Sequence, residues 1–350
     1  MRKTHPFPFR LVAVIAVFAA LLSGCDNISS TVDVQDIVEL RWQHDGGAIY
    51  GLIQKYTLTQ YQTGPTAAYN LARFNSDGSL NKTISCDQSA VPDVSYSVFT
   101  TPDNSLVATQ LGGDLYTINP STNAYTKRYL QFHLYAVSPD LHYAIGSISP
   151  SNRTIRTVVV VDLQTGSAAT RTVTSFDVSN LQQQPGLWLG NGQFALTLRD
   201  SAGSQVVIYD TTGTLRTTLG GASTAFHNAV YVASTNALYL RNQSGKTTDY
   251  SVDKVDLNTM ARATVVPIDV ESFDISADEG LLVYNHYDLN SDSTKTLAMY
   301  ARNLHTGVEK QLTRDVLSLV ALSPAADRVA YIHARDVNYN EVYTMTVTRP

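Results

Sequence analysis

Cysteine is almost missing from this chain: its 350 residues hold only Cys25 and Cys86. No C-x-x-C pair exists, which excludes the common redox and zinc patterns built on one. The G-x-S-x-G elbow, the H-E-x-x-H helix and the Walker loop are also absent, so three familiar catalytic designs have no sequence basis here. An excess of basic charge is lacking too. The formal net charge is −5, which argues against nucleic acid, whose binders display basic patches. No run is apolar for the 20 or so residues that a membrane-spanning helix needs. Beyond the N-terminus no segment keeps a helical period, which excludes a bundle.

What is present at the N-terminus is compact. Arg2, Lys3 and Arg10 precede the apolar run Leu11–Leu22, "LVAVIAVFAALL", and small residues follow it. That is the layout of a secretory signal. The site Leu22-Ser23-Gly24-Cys25 resembles the lipobox of bacterial lipoproteins. The resemblance implies cleavage after residue 24 and acylation of Cys25, with residues 25–29 as a lipidated tether. Two or three acyl chains anchor stably where one does not. No other cofactor is expected. Asp26 and Asn27 resemble the signal that retains lipoproteins in the inner membrane where enteric rules apply, with the protein facing the periplasm. Loss of residues 1–24 takes the net charge from −5 to −8. With Cys25 acylated, Cys86 has no partner for a disulfide and reads as a passive small residue. The core must then be large enough to be stable unaided.

Residues 30–350 read as one all-β domain. Short runs rich in Val, Ile, Thr and Tyr alternate with Gly, Asn, Asp and Ser clusters. A polar turn recurs after an apolar strand in "ARFNSDG", "YTINPSTN", "VVVVDLQTG", "VIYDTTG", "KVDLNTM" and "YARNLHTG". It starts at Asn75, Asn119, Asp162, Asp210, Asp256 and Asn303, with gaps of 44, 43, 48, 46 and 47 residues. Asn and Asp suit the position because their side chains bond the backbone two residues on. Between these turns lies a second motif, seen in "SVFTTPDNSLVA", "YAVSPDLHYAIG", "LWLGNGQFAL", "VYVASTNALYL", "FDISADEGLLVY" and "VALSPAADRVAY", with an early divergent copy in "LRWQHDGGAIYG". Seven such hairpins and six later turns result.

Periods of 40–50 residues with four strands per unit mark β-propeller blades. The two motifs together resemble the TolB-like, WD40-like propeller repeat. The expectation is a single seven-bladed β-propeller. The chain reaches Pro350 before a seventh turn, so the last blade is short of its outer strand. An open edge is hazardous, and "STVDVQD", residues 30–36, is expected to fill it and close the ring.

Propellers bind at the mouth of the central channel, where inner strands begin. Counting back from each hairpin places Tyr96, His133, Gln184, Asn228 and Glu271 there, with His227 adjacent. Two histidines and a glutamate near one axis suit a metal, and some propeller lyases that cut acidic polysaccharides resemble this arrangement; polar lining filled by water is the plain reading. "HYDLNSDSTK" spaces Asp288, Asn290 and Asp292 like a calcium loop, but Ser293 and Met299 stand where the pattern needs Gly and Glu. Trp42, Trp188 and Phe226 read as core or as exposed anchors. Residues 54–70 form either a projecting loop or two extended strands with a tip at Gly64-Pro65.

The combination of an anchor, one domain and no catalytic motif favours a non-enzymatic envelope lipoprotein. Its expected partners are the bilayer, through the Cys25 acyl chains, and an envelope protein bound on the propeller face. The alternative is a metal-assisted polysaccharide lyase or hydrolase with its site at the channel mouth.

Overall fold

A computed structural model describes residues 32–350 except 59–66, 85–97, 102–106, 112–113, 120, 123, 129–132, 149–154, 164–170, 178–185, 191, 201–202, 221–223, 245–249, 291–293, 315, 317 and 337–338. The signal segment, Cys25, Asp26, Asn27, Cys86, Tyr96 and Gln184 lie outside the described residues. Within them no helix is long and apolar enough to cross a membrane.

The described chain is all β. Its first strands are β1 (Val32–Trp42), β2 (Ala48–Leu58), β3 (Ala67–Asn75) and β4 (Leu80–Ile84). A second group is β5 (Val98–Thr100), β6 (Val107–Leu111), β7 (Asp114–Ile118) and β8 (Tyr125–Arg128). Then come β9 (His133–Val137), β10 (Tyr143–Ile148), β11 (Ile155–Asp162) and β12 (Arg171–Asp177), followed by β13 (Leu187–Leu189), β14 (Gln193–Asp200), β15 (Gly203–Asp210) and β16 (Leu215–Gly220). The last groups are β17 (Thr224–Val232), β18 (Ala237–Ser244), β19 (Tyr250–Asp256) and β20 (Arg262–Val266); β21 (Val270–Ile275), β22 (Leu281–Leu289), β23 (Lys295–Asn303) and β24 (Glu309–Thr313); and β25 (Ser318–Leu322), β26 (Arg328–Asp336) and β27 (Tyr339–Thr346).

These strands form six sheets. Five are four-stranded meanders, and the sixth has the order β25-β26-β27-β1-β2-β3-β4. Inner strands of neighbouring sheets touch one another, β21 with β25, β1 with β5, β9 with β13, β13 with β17 and β17 with β21, and β25 touches β1 within the shared sheet, as expected of a ring around a channel. The fold is therefore a β-propeller, but with six blades rather than the expected seven. The hairpins at the two ends of the chain share one sheet.

The expected closure is corrected as well. An added outer strand would run antiparallel to β27, but β1 meets β27 in parallel, at the single pair Gln35↔Tyr339. Residues 32–36 instead begin a long antiparallel ladder with β2, from Val32↔Leu58 to Trp42↔Ile49. The physical reason is local. β2 extends to Leu58, so β1 finds a partner one short turn away along its whole length. Pairing with β27 would close a loop of about 300 residues for fewer bonds. Of residues 54–70, strands cover the two ends, reaching Leu58 and resuming at Ala67, and the expected tip at Gly64-Pro65 lies outside the described residues.

Central strands are covered on both faces, which explains apolar runs without alternation. In β11, Val159 and Val161 enter one core, with Leu134 and Val137, while Val158 and Val160 enter the next, with Phe194 and Val207. The turns work as their chemistry dictates. Asp256 Oδ1 accepts from the amides of Asn258 (2.7 Å) and Thr259 (3.2 Å), and Asn303 Oδ1 from those of His305 (2.9 Å) and Thr306 (3.1 Å). In the hairpins a serine hydroxyl accepts the amide five residues on: Ser138 from Tyr143, Ser276 from Leu281 and Ser323 from Arg328. Both turn families lie at one end, where backbone bonds join them, Leu304 to Gly280 (3.1 Å) and Val347 to Asp327 (2.8 Å). Inner strands begin at the opposite end, the mouth.

The edge of β27 is covered by the turn Asn75–Ser79. The Ser76 carbonyl accepts from Thr344 Oγ1 and Arg328 Nη1, each at 3.2 Å. Gly78 has φ +87°, and a Cβ there would lie 2.5 Å from the Val342 carbonyl oxygen. Gly78→Ala therefore meets both backbone strain and a backbone atom that cannot swing away. It is expected to cost at least about 1–2 kcal/mol, read as a lower urea midpoint. An unchanged midpoint would mean that this turn does not seal the edge.

Candidate functional site

Two groups of charged residues mark the channel. The first lies at the mouth, between β18, β19 and β21. Glu271, expected there from the hairpin spacing, does sit at the start of β21, half-exposed. Its Oε2 is 3.0 Å from Arg241 Nη2, and Arg241 Nε donates to the Val270 carbonyl at 2.5 Å. The guanidinium also covers the Tyr250 ring, 3.9 Å from its centroid. The Tyr250 amide donates to Asp269 Oδ1 at 3.1 Å. Burial, then Glu271 and Asp269, push the Tyr287 hydroxyl well above its ordinary range. Arg241 is thus held by an acid, a carbonyl and a ring. The arrangement is a structural ion pair that leaves one edge of Glu271 to solvent.

The second group lies deeper, on the inner strands. Glu39 Oε1 accepts from the Val98 amide at 3.1 Å, tying β1 to β5. Asp274 Oδ2 accepts from the Leu322 amide at 2.8 Å, tying β21 to β25. Ser272 Oγ does the same for Val320 at 3.1 Å. Each acid meets an amide on the neighbouring inner strand, whose channel-side edge has no next strand to pair with. Arg41 lies 3.7 Å from Glu39 and lowers the proton affinity of both acids. Burial dominates nonetheless: Glu39 is raised to about 7 and Asp274 is also raised.

The sequence singled out neither Glu39 nor Asp274. A signal was there, an acid inside an apolar inner strand, "IVELRW" and "SFDIS", because such a charge is expensive unless hydrogen-bonded. Counting back a fixed distance from the turn passed over it.

The side chains of the other residues expected at the mouth are not among those described. His133 opens β9, paired with Ser147, and His227 falls in the bulge of β17 between Phe226 and Ala229; their side chains lie outside the described residues. Asn228 is in the same bulge. Among the described residues no group of three His, Cys, Asp or Glu could hold a metal. Asp288 of the calcium-like loop faces the sheet. Its oxygens accept from Tyr300 Oη at 2.9 and 2.8 Å and from Gln311 at 3.1 Å, with Arg314 at 3.4 Å. Burial and this bond push Tyr300 up to about 12. Trp42 and Trp188 are packed against core clusters.

No family model matches the sequence, and no curated protein matches it. Solved structures do. An oligogalacturonate lyase in complex with manganese is 12% identical, with 91% of each chain covered and a TM-score of 0.63. The β-propeller domain of the Trilobed protease from Pyrococcus furiosus, described as having an open velcro topology, is 11% identical over 91% of this chain and 94% of that one, with a TM-score of 0.60. TolB from Acinetobacter baumannii is 14% identical over 90% of this chain and 77% of that one, at a TM-score of 0.47, which carries no argument. At these identities the likeness shows the β-propeller fold and nothing finer.

Proposed function

We propose that this chain is a bacterial envelope lipoprotein, anchored through acyl chains on Cys25, that binds a protein partner on its propeller face and catalyses nothing. The lipobox supports the anchor, and Asp26-Asn27 favours the inner membrane, with the propeller in the periplasm. One observation carries the choice of face. At the turn end, three successive sheets each present an exposed apolar residue, Leu215, Met260 and Val308. Each lies within one or two residues of an outer strand's start, where strand and turn chemistry place it on the surface. The recurrence at the same place in three successive sheets, rather than any one residue, is what supports docking at that end.

A photo-crosslinking amino acid at Leu215 or Met260, in intact cells, is expected to give one discrete protein adduct. Its absence, or its persistence when Met260→Asp and Val308→Asp are combined with the probe at Leu215, would remove the scaffold reading. The metal-assisted lyase is tested separately. Against it stands Glu271, whose carboxylate is engaged by Arg241. Purified protein is expected to carry well under one Mn, Zn or Ca per chain by elemental analysis. A stoichiometric metal lost in His133→Ala or His227→Ala would replace the scaffold by the enzyme.

A further inference from the structure

We infer that the mouth end of the propeller faces the lipid bilayer, with Leu289, the last residue of β22, at the headgroup boundary. This orientation rests on the lipid-anchor reading and extends it. β1 starts at Val32, and Gln35 pairs with Tyr339, the first residue of β27. That puts the entry of the chain at the mouth. Seven Cα steps separate Cys25 from Val32. At about 3.5 Å each they reach at most about 25 Å even if fully extended. The nine residues of β22 already span about 30 Å from the turn end to the mouth. A tether this short cannot carry the anchor around the rim to the turn end. The mouth must lie nearest the bilayer.

The mouth surface suits that position. Leu289 ends β22 and is 71% exposed, the most exposed large apolar side chain among the described residues. Ile268, in the connection to β21 at the same end, is exposed as well. Lys295 pairs with Leu289 across the hairpin, and Arg314 follows β24 at this end with an exposed side chain. An exposed leucine at a strand end, flanked by cations, fits the boundary between acyl chains and anionic headgroups. The turn end, with Leu215, Met260 and Val308, then points into the aqueous compartment, where a partner can reach it.

The test uses the full chain, purified from membranes and reconstituted in phosphatidylethanolamine–phosphatidylglycerol vesicles. A photo-crosslinking residue replaces Leu289 in one variant and Met260 in another, both exposed sites that tolerate change. Mass spectrometry of the N-terminal peptide first establishes whether Cys25 is acylated. With an acylated Cys25, phospholipid adducts at position 289 are expected at roughly five times or more the yield at position 260. Equal yields, a reversed ratio, or no lipid adduct at either site would overturn the orientation while leaving the anchor intact. An unacylated Cys25 would overturn the anchor and the orientation together.

Discussion

Trp42→Ala is expected to destabilise the propeller more than any other single truncation at the seam, by about 3–5 kcal/mol. Trp42 is the last residue of β1 and is 5% exposed. Its ring packs in the cluster that joins the chain ends, with Ala321, Ala330, Ile332 and Val342 from β25, β26 and β27. Its Nε1 donates to the Ala321 carbonyl at 2.9 Å, across 279 residues of sequence. Truncation opens a cavity and leaves that carbonyl without its donor. Trp42→Phe separates the two effects: it keeps most of the packing and loses the bond, so about 1–3 kcal/mol is expected. Urea unfolding followed by circular dichroism measures both. If Trp42→Ala costs less than about 1 kcal/mol, well below the range for such truncations, the ends are held by something other than this cluster. The expectation is large because direct pairing between β1 and β27 is thin and this cluster carries much of the joint. Among the described residues the only ladder pair between β1 and β27 is Gln35↔Tyr339, helped by Asn340 Nδ2 donating to Asp36 Oδ1 at 3.1 Å.

The repeat was legible because each copy is local. Asp256 or Ser276 bonds an amide a few residues away, so the same letters return wherever the same turn is made. The blade count was not legible, because it depends on which strand β1 prefers. That choice is between an adjacent hairpin partner and an edge about 300 residues distant, and spacing contains no information about it. The mouth was half legible. Glu271 falls where the hairpin register puts it, yet its partner Arg241 lies 30 residues earlier, on another sheet. The calcium-like spacing of Asp288 and Asn290 belongs to a hairpin, as the missing Gly and Glu suggested: β22 and β23 pair up to Leu289↔Lys295, so Asp288 is inside the ladder and beside Tyr300. The acids that tie the inner strands were missed because the amides they meet belong to neighbouring strands.

Those acids give the second large effect. Glu39→Gln is expected to stabilise the protein at pH 8 and to change little at pH 5. Burial raises the folded-state pKa of Glu39 from 4.5 to about 7. In the unfolded chain it titrates near its ordinary value. Between those two pH values the folded protein holds a proton that the unfolded chain has released. Stability therefore falls as pH rises through that window. Above pH 7 the buried carboxylate costs up to about 3 kcal/mol, since each tenfold change in proton affinity is worth about 1.4 kcal/mol. A glutamine at this position has no charge to bury, and its amide oxygen can still accept the Val98 amide. It gives up the attraction of Arg41, which is weak because that guanidinium is largely exposed and 3.7 Å away. Asp274 is raised as well, by burial first, and its contribution has the same sign. Adding Asp274→Asn to Glu39→Gln is therefore expected to flatten the pH dependence further, never to steepen it. Thermal midpoints of the three proteins from pH 5 to 8 decide the matter. A Glu39→Gln curve parallel to the wild type would mean that Glu39 is ionised at little cost, and that the guanidinium of Arg41, rather than burial, governs the charge inside the channel.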